Sequence, residues 1–515
     1  MILLIHPPLV KPSEPPPGIA RLYGTLRAAG AECDVIDANI EAIEYLLDKT
    51  PNDSDRWTLR AVRNRERNLQ SIRGQSGYSD LQRYKRIVSD VGRLIEKSVN
   101  NGVRIGLSNY NDGEFSPVRS RDLLRAAAEN EKNPFHPYFS ERLTGIIERK
   151  TPQVVGLSLN FLSQALTAFS MIGFLRAKYP GIRIVLGGGL VTSWVRKPGW
   201  INPFSGLVDE IVDGPGERTL LSIAGKVPAA PEGNTSRAKQ PQPGPFLPAY
   251  DPFPMHDYFA PGPILPYSTS SGCYWNRCGF CPEKAEKTPY EPIPAQTALN
   301  EAASLVKDVR PVLLHFTDSA LSPALLRKIT EMPPGAPWYG FVRITGSLAD
   351  EEFCRTLKKS GCVMLKLGLE SGDQGVIDSE GKGIDLGIAS RALASIKKAG
   401  IGTYGYFLFG TPSEAEAEAR NTLDFAVKYH EYIDFLNLAI FNMPINSPDA
   451  ERFGTSPHYE GDLSLYTGFT HPKGWNRAQV RQFLDKEFKR HPAIGPILAK
   501  DPPHFTSNHA PFFCR

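Results

Sequence analysis

Long apolar runs are missing from this 515-residue chain. No uninterrupted apolar stretch approaches the ~18–20 residues that a membrane-spanning helix needs, so no span is expected. A strong charge bias is missing too: 59 Lys and Arg face 55 Asp and Glu, a net +4. That is too little for a dedicated nucleic-acid surface. No basic stretch precedes the apolar start Met1–Ile5, and His6-Pro7-Pro8 cuts it short, which reads as a buried strand rather than a signal peptide. Seven cysteines, an odd number with three clustered, do not make a disulfide framework. They point to a reducing, cytoplasmic setting and to metal binding. The length exceeds one ordinary core, so two or three domains are expected.

What is present is concentrated in Ser271-Gly-Cys273-Tyr-Trp-Asn-Arg-Cys278-Gly-Phe-Cys281-Pro. Three cysteines lie within nine residues as C-x4-C-x2-C, and no fourth cysteine or histidine closes the set. A structural zinc knuckle needs that fourth ligand, and neither His256 nor His315 has the spacing for it. Three thiolates suffice for three irons of a 4Fe-4S cluster and leave the fourth open to a small molecule. One short loop brings the ligands together at little closure cost, and Gly272 and Gly279 permit a tight backbone there.

Strand–helix alternation organises the rest. Met1–Ile5, Glu32–Ile36, Val154–Leu159, Ile182–Leu186 and Leu207–Val212 read as near-continuous apolar strands, with helices at Gly18–Ala29, Ser163–Tyr179 and from Glu217. This is the pattern of a doubly wound, Rossmann-like α/β domain over residues 1–224, with a ligand at the strand carboxyl ends. It is interrupted at about 49–150 by an Arg-rich helical insertion that covers the domain or serves as an interaction surface. Residues 225–262, rich in Pro, Gly and Gln, read as a linker. Six further strands are expected at 264–270, 312–317, 338–344, 362–370, 403–410 and 433–441, with helices between them. They make a partial (β/α)6 TIM-type barrel over 263–444, with the three cysteines in the loop after its first strand. Residues 445–515 form a C-terminal extension and a candidate lid. Cys514, beside His509, reaches the site as a quencher or ligand if the tail folds back; otherwise it lies on a loose terminus.

A cysteine loop after the first strand of a partial barrel resembles the radical S-adenosylmethionine (SAM) enzymes, whose usual spacing is one residue shorter. The resemblance implies a 4Fe-4S cluster on Cys273, Cys278 and Cys281 whose open iron binds SAM, and reductive cleavage to a 5′-deoxyadenosyl radical. It also implies an external electron donor of flavodoxin or ferredoxin type. Residue by residue, Phe280 matches the aromatic position near adenine. Glu370 and Ser371, in Leu367-Gly-Leu-Glu-Ser-Gly372, match the fourth-strand segment at the ribose and methionine ends. Gly410, in Phe409-Gly-Thr-Pro-Ser-Glu414, matches the fifth-strand turn, and Arg343 a base for the methionine carboxylate. The second strand departs from the family: Phe316-Thr-Asp318-Ser319 stands where Gly-Gly-Glu is usual, so Asp318 or the local backbone takes the amino group. Without the family, Glu370 reads as a capping acid, Arg343 as a surface charge and Gly410-Thr-Pro412 as a turn.

The first domain resembles the cobalamin-binding domain of one branch of that superfamily, through His6, Pro7 and the segments holding Ser158, Gly187, Gly188, Gly189 and Gly214. The Asp-x-His-x-x-Gly signature that supplies an axial histidine is absent, which implies cobalamin without a protein histidine ligand. The alternative is a degenerate domain that only scaffolds the barrel. Together these resemblances imply cobalamin-dependent methylation of an unactivated carbon in a small-molecule or natural-product substrate. Radical oxidation or cyclisation without methyl transfer is the second reading, and a corrinoid- or metal-binding interaction protein the third. Composition and spacing do not identify the substrate.

Overall fold

The computed structural model describes the chain except residues 52, 54, 100, 101, 229–246, 457–459, 504–507 and 515. The most Pro- and Gln-rich part of the expected linker, and His504-Phe505 in the tail, therefore lie outside the described residues. The chain divides into two compact units: residues 1–73, 86–259 and 460–464, and residues 74–85, 260–459 and 465–515. Neither the insertion nor the extension stays whole, since residues 74–85 join the second unit and 460–464 the first. No helix among the described residues is long and apolar enough to cross a membrane.

The first unit is built on five parallel strands: β1 (Ile2–His6), β2 (Cys33–Asp37), β3 (Val154–Ser158), β4 (Arg183–Gly187) and β5 (Glu210–Ile211). Their order is β2-β1-β3-β4-β5, with Ile2 opposite Cys33 on one side and Val154 on the other. The order reverses between β1 and β3, the crevice where such sheets bind ligands. β1 and β3 are buried throughout, as strands covered on both faces must be. The last strand is shorter than its apolar pattern predicts.

Helix Leu162–Lys178 is buried almost all round, and the insertion explains why. Its helix Ser120–Ala128 crosses so closely that a Cβ on Gly173 would lie 1.9 Å from the Ala127 carbonyl oxygen. The Ser170 hydroxyl donates to the Ala126 carbonyl in the same contact. The insertion also holds a short hairpin, Val103–Ile105 with Tyr110–Asp112, that hydrophobic patterning did not signal. Residues at the end of the expected linker pack onto this unit: the Ala249 amide donates to Ala20 and the Phe259 amide to Pro12.

In the second unit, β6 (Ile264–Tyr267), β7 (Leu313–Leu321), β8 (Trp338–Val342), β9 (Cys362–Glu370), β10 (Gly402–Phe409) and β11 (Phe435–Ile440) pair in sequence order, all parallel. This is the expected open six-stranded barrel. Helices on its outside begin where the sequence offers caps: Asp350 accepts from Glu352 and Phe353 amides, and Asp385 from the Ile388 amide.

The amino ends of the strands are sealed by a buried cluster that includes Ile264, Leu313, Tyr339, Met364, Tyr404 and Phe435. Ala510 belongs to it, and Phe513 and Cys514 pack against it. The end of the tail thus plugs the floor of the barrel, at the far end from the cysteine loop, and this corrects the expectation that Cys514 could serve the site. The upstream part of the extension lies at the other end. There the His471 ring contacts the Thr411 carbonyl at 2.9 Å and the Trp475 indole donates to Glu414.

Candidate active site

The cysteine loop leaves the carboxyl end of β6 and is tied down at both its base and its centre. At the base, buried Asp318 accepts from the Thr269 amide and hydroxyl and from the Ser270 hydroxyl, at 2.6–3.1 Å. Burial raises its carboxyl while these donors pull it down. Gly272 sits at φ 70°, where a Cβ would lie 2.3 Å from the Pro289 carbonyl oxygen, so only glycine fits.

At the centre, the residues of the long first gap have a structural task. The Trp275 indole donates to the Gly381 carbonyl at 2.9 Å. Its ring lies 3.5 Å from the Arg343 guanidinium carbon and 4.9 Å from that of Arg277. Asn276 takes the left-handed conformation at φ 46°, which asparagine tolerates better than most residues. The Gly279 amide donates to the Glu380 carbonyl at 2.8 Å. The loop is therefore seated on segment 380–383, a stretch sequence reading passed over. Its signal is Gly381-Lys382-Gly383, with both glycines at φ 64°.

Lys382 is the main group that sequence reading missed. Its ammonium pairs with Glu370 at 2.6 Å and lies 5.7 Å from the Phe280 ring centroid. Arg343, expected at the methionine carboxylate, instead donates to the Lys382 and Gly383 carbonyls. Asp318 is likewise committed to the loop base. Both read as positioning groups.

Phe280, Glu370, Ser371, Glu380, Lys382 and Thr411 line one small cavity. Gly410, at φ 78°, lies instead in a neighbouring cleft with Phe441, Phe469 and Trp475. Behind its turn, fully buried Glu414 accepts from the Gly410 amide and the Trp475 indole. Burial pushes its carboxyl up to about 8 against those two donors.

The three thiols are partly buried. Burial pushes Cys278 up to about 11 while Lys382 pulls it down, and Cys281 and Cys273 raise it further, so the three feel one another. Burial also raises Cys281. No group of three or more His, Cys, Asp or Glu among the described residues is set to hold a single metal ion. Three soft thiols without a fourth ligand fit a cubane cluster, whose own irons and sulfides fill the space between them.

Residues 267–426 match the Radical SAM superfamily. The second unit contains a radical SAM domain. Such a domain works with a 4Fe-4S cluster and SAM, so the chain is an enzyme, and the reading as a mere binding protein falls. An uncharacterized methyltransferase of Pyrococcus horikoshii is 23% identical over 320 residues, 57% of this chain and 68% of that protein. Among solved structures, the radical SAM methyltransferase TsrM from Kitasatospora setae, with tryptophan substrate and a SAM analogue bound, aligns with TM-score 0.57 at 15% identity. That alignment covers 96% of this chain and 89% of TsrM. The cobalamin-dependent SAM radical enzyme OxsB aligns with TM-score 0.53 at 15% identity, covering 67% of this chain and 60% of OxsB. At these identities the likeness is one of fold, and with TsrM it extends over both units.

The first unit carries its own strand-end surface. Asn160, missed in the sequence, donates to the Ser158 hydroxyl and accepts from the Gly189 amide at 2.9 Å. Gly188 has φ 108°, and a Cβ there would lie 2.4 Å from the Leu159 carbonyl oxygen. Gly214, at φ 80°, donates to the Thr192 hydroxyl. The Phe161 ring beside them is 53% exposed. The Pro7 carbonyl accepts from the Gln164 amide. His6 departs from expectation: it is 5% exposed, and burial lowers its pKa despite nearby Asp37. Its ring belongs to the interior, not to the strand-end surface.

Proposed function

We propose that this chain is a cobalamin-dependent radical SAM methyltransferase acting on an unactivated carbon of a small molecule. The observation that carries the reading is the pair of strand-end sites in one chain, a three-thiol loop in one unit and a glycine-cradled, aromatic surface in the other. When bound, the cluster with SAM supplies a carbon-centred radical by one-electron reduction, and cobalamin supplies the methyl group. The chain's own residues do the rest. Cys273, Cys278 and Cys281 hold the cluster. Lys382, held by Glu370, offers a cation to the methionine carboxylate, a task first expected of Arg343. Phe280 and Ser371 shape the cavity around SAM, and Gly410 lets the fifth-strand turn approach it. Asp318 and Arg343 fix the loop and segment 380–383 against each other.

For cobalamin, Ser158, Gly187, Gly188, Gly189 and Gly214 offer backbone approach and Phe161 an apolar face, while Pro7 shapes the first loop. With His6 buried, the reading has the corrinoid held without a histidine ligand. The reading includes a flavodoxin- or ferredoxin-type electron donor and a reducing cytoplasm, where the thiols stay available.

The test is product analysis with anaerobically reconstituted protein and a candidate substrate. S-adenosylhomocysteine should accumulate in step with 5′-deoxyadenosine. 5′-Deoxyadenosine alone would replace methyl transfer with a radical oxidation or cyclisation, and neither product would overturn the radical reading.

A further inference from the structure

The cavity beside the cysteine loop is lined by one acid more than it has cations to balance. Glu370, Glu380 and Lys382 are the charged residues on its wall. Glu370 and Lys382 pair with each other at 2.6 Å, whereas Glu380 has no cation partner among the described residues. Glu380 is half-buried. A carboxylate withdrawn from water without a counter-charge is costly, and a bound cation relieves that cost.

Three elements fix this acid in place. It follows helix Gln374–Ser379, and its backbone carbonyl accepts from the Gly279 amide at 2.8 Å. Its Oε1 accepts from the Ser413 hydroxyl at 2.6 Å. Burial raises the carboxyl, while the Ser413 and Thr411 hydroxyls pull it down. Its Oε2 lies 3.0 Å from where a Cβ on Gly279 would stand, so a side chain there would crowd the acid beside Phe280. The turn that carries Thr411 and Ser413 is held from its other side. His471 Nε2 contacts the Thr411 carbonyl at 2.9 Å, and the Lys473 ammonium donates to the Ser413 carbonyl. A carboxylate has roughly four acceptor positions. The two hydroxyls set its orientation and leave its charge uncompensated on the cavity wall.

We infer that Glu380 is a specificity residue for SAM: its carboxylate answers the sulfonium charge, so that SAM is bound in preference to S-adenosylhomocysteine. SAM carries a sulfonium, an ammonium and a carboxylate, and is a cation overall. S-adenosylhomocysteine has nearly the same shape but a neutral thioether, and no net charge. With Lys382 offered to the methionine carboxylate, the unpaired acid complements the charge that is left. Such attraction needs no hydrogen bond and acts over several ångströms where water is scarce. Loss of the methyl group removes it, which favours release of the demethylated product. This inference rests on the radical SAM reading and adds the basis of cofactor selection to it.

The test is calorimetric binding of SAM and of S-adenosylhomocysteine to the anaerobically reconstituted full-length chain. The wild type should bind SAM several-fold more tightly. Glu380→Gln keeps the shape and can still accept from Ser413. It should weaken SAM by roughly three- to tenfold, as expected for a partly screened charge pair, and leave S-adenosylhomocysteine within about twofold. Iron per chain should stay the same, which separates loss of the charge from loss of the loop. Glu380→Asp, still an acid, should keep the preference for SAM, and it decides if Glu380→Gln does not load iron. Equal weakening of both ligands in Glu380→Gln would make the residue a support for the turn and overturn the inference. A wild type without preference, or a preference lost in Glu380→Asp, overturns it as well. If 5′-deoxyadenosine still forms in those cases, the radical reading stands. A wild-type chain that binds neither ligand and forms no 5′-deoxyadenosine overturns both together.

Discussion

Lys382 and Glu370 form an ion pair of 2.6 Å, with side-chain exposures of 11% and 18%, beside Phe280 of the cysteine loop. Both partners are nearly desolvated, so removing one leaves an unpaired charge that costs roughly 3–5 kcal/mol. Lys382→Met should lower the denaturant midpoint by about that amount, and adding Glu370→Gln should recover part of it. SAM affinity, measured by calorimetry on reconstituted protein, should fall in both variants. An unchanged affinity in Lys382→Met would remove Lys382 from the binding site.

Asp318 acts on the cluster through the loop it holds. Asp318→Asn keeps the shape but loses charge-assisted bonds to Thr269 and Ser270, at a cost of about 2 kcal/mol. Iron incorporated per chain should drop while the helix content stays the same. Full iron loading in Asp318→Asn would show that the loop needs no such anchor.

Glu414 should make stability pH-dependent. Its folded pKa, about 8, lies above the ordinary 4.5, so the folded state binds the proton more tightly than the unfolded one. The stabilisation is complete below the unfolded value and is lost as pH rises toward 8, with a ceiling of about 5 kcal/mol. Melting temperature should fall between pH 5 and 8 by this group's share. Glu414→Gln, neutral throughout, should flatten that slope, and an equally steep slope in the variant would assign it elsewhere.

Gly188 combines φ 108° with a Cβ position 2.4 Å from the Leu159 carbonyl oxygen. Backbone atoms cannot step aside as a flexible side chain can, so Gly188→Ala should destabilise the first unit by about 2–3 kcal/mol. Corrinoid binding, followed by absorbance, should weaken with it. The contrast is Gly18→Ala, where a Cβ meets nothing within 4 Å and stability should hold.

Much of the architecture was legible because apolar periodicity and cap residues are local. The six barrel strands and the helices between them lie close to where the patterning puts them, and Asp350 and Asp385 announce their helices by type alone. The Val103–Ile105 hairpin stayed hidden, since three-residue strands are too short to show a period. The same limit applies to the site. Three cysteines in nine residues are visible at once, whereas Lys382 is one lysine among many until Glu370 and Phe280 are seen beside it.

The sequence by itself determined the chemistry on offer: three soft thiols in one loop after a barrel strand, and glycines where backbones must approach. The tertiary structure decided what each charge touches. It turned Arg343 and Asp318 into braces, set Lys382 by the cavity, withdrew His6 into the core and sent Cys514 to the floor of the barrel. The physical reason is that a charge's role depends on its partners and its burial, and both are set by residues distant in the chain. Cys278 and Lys382 are 104 positions apart in sequence, and only folding makes them neighbours.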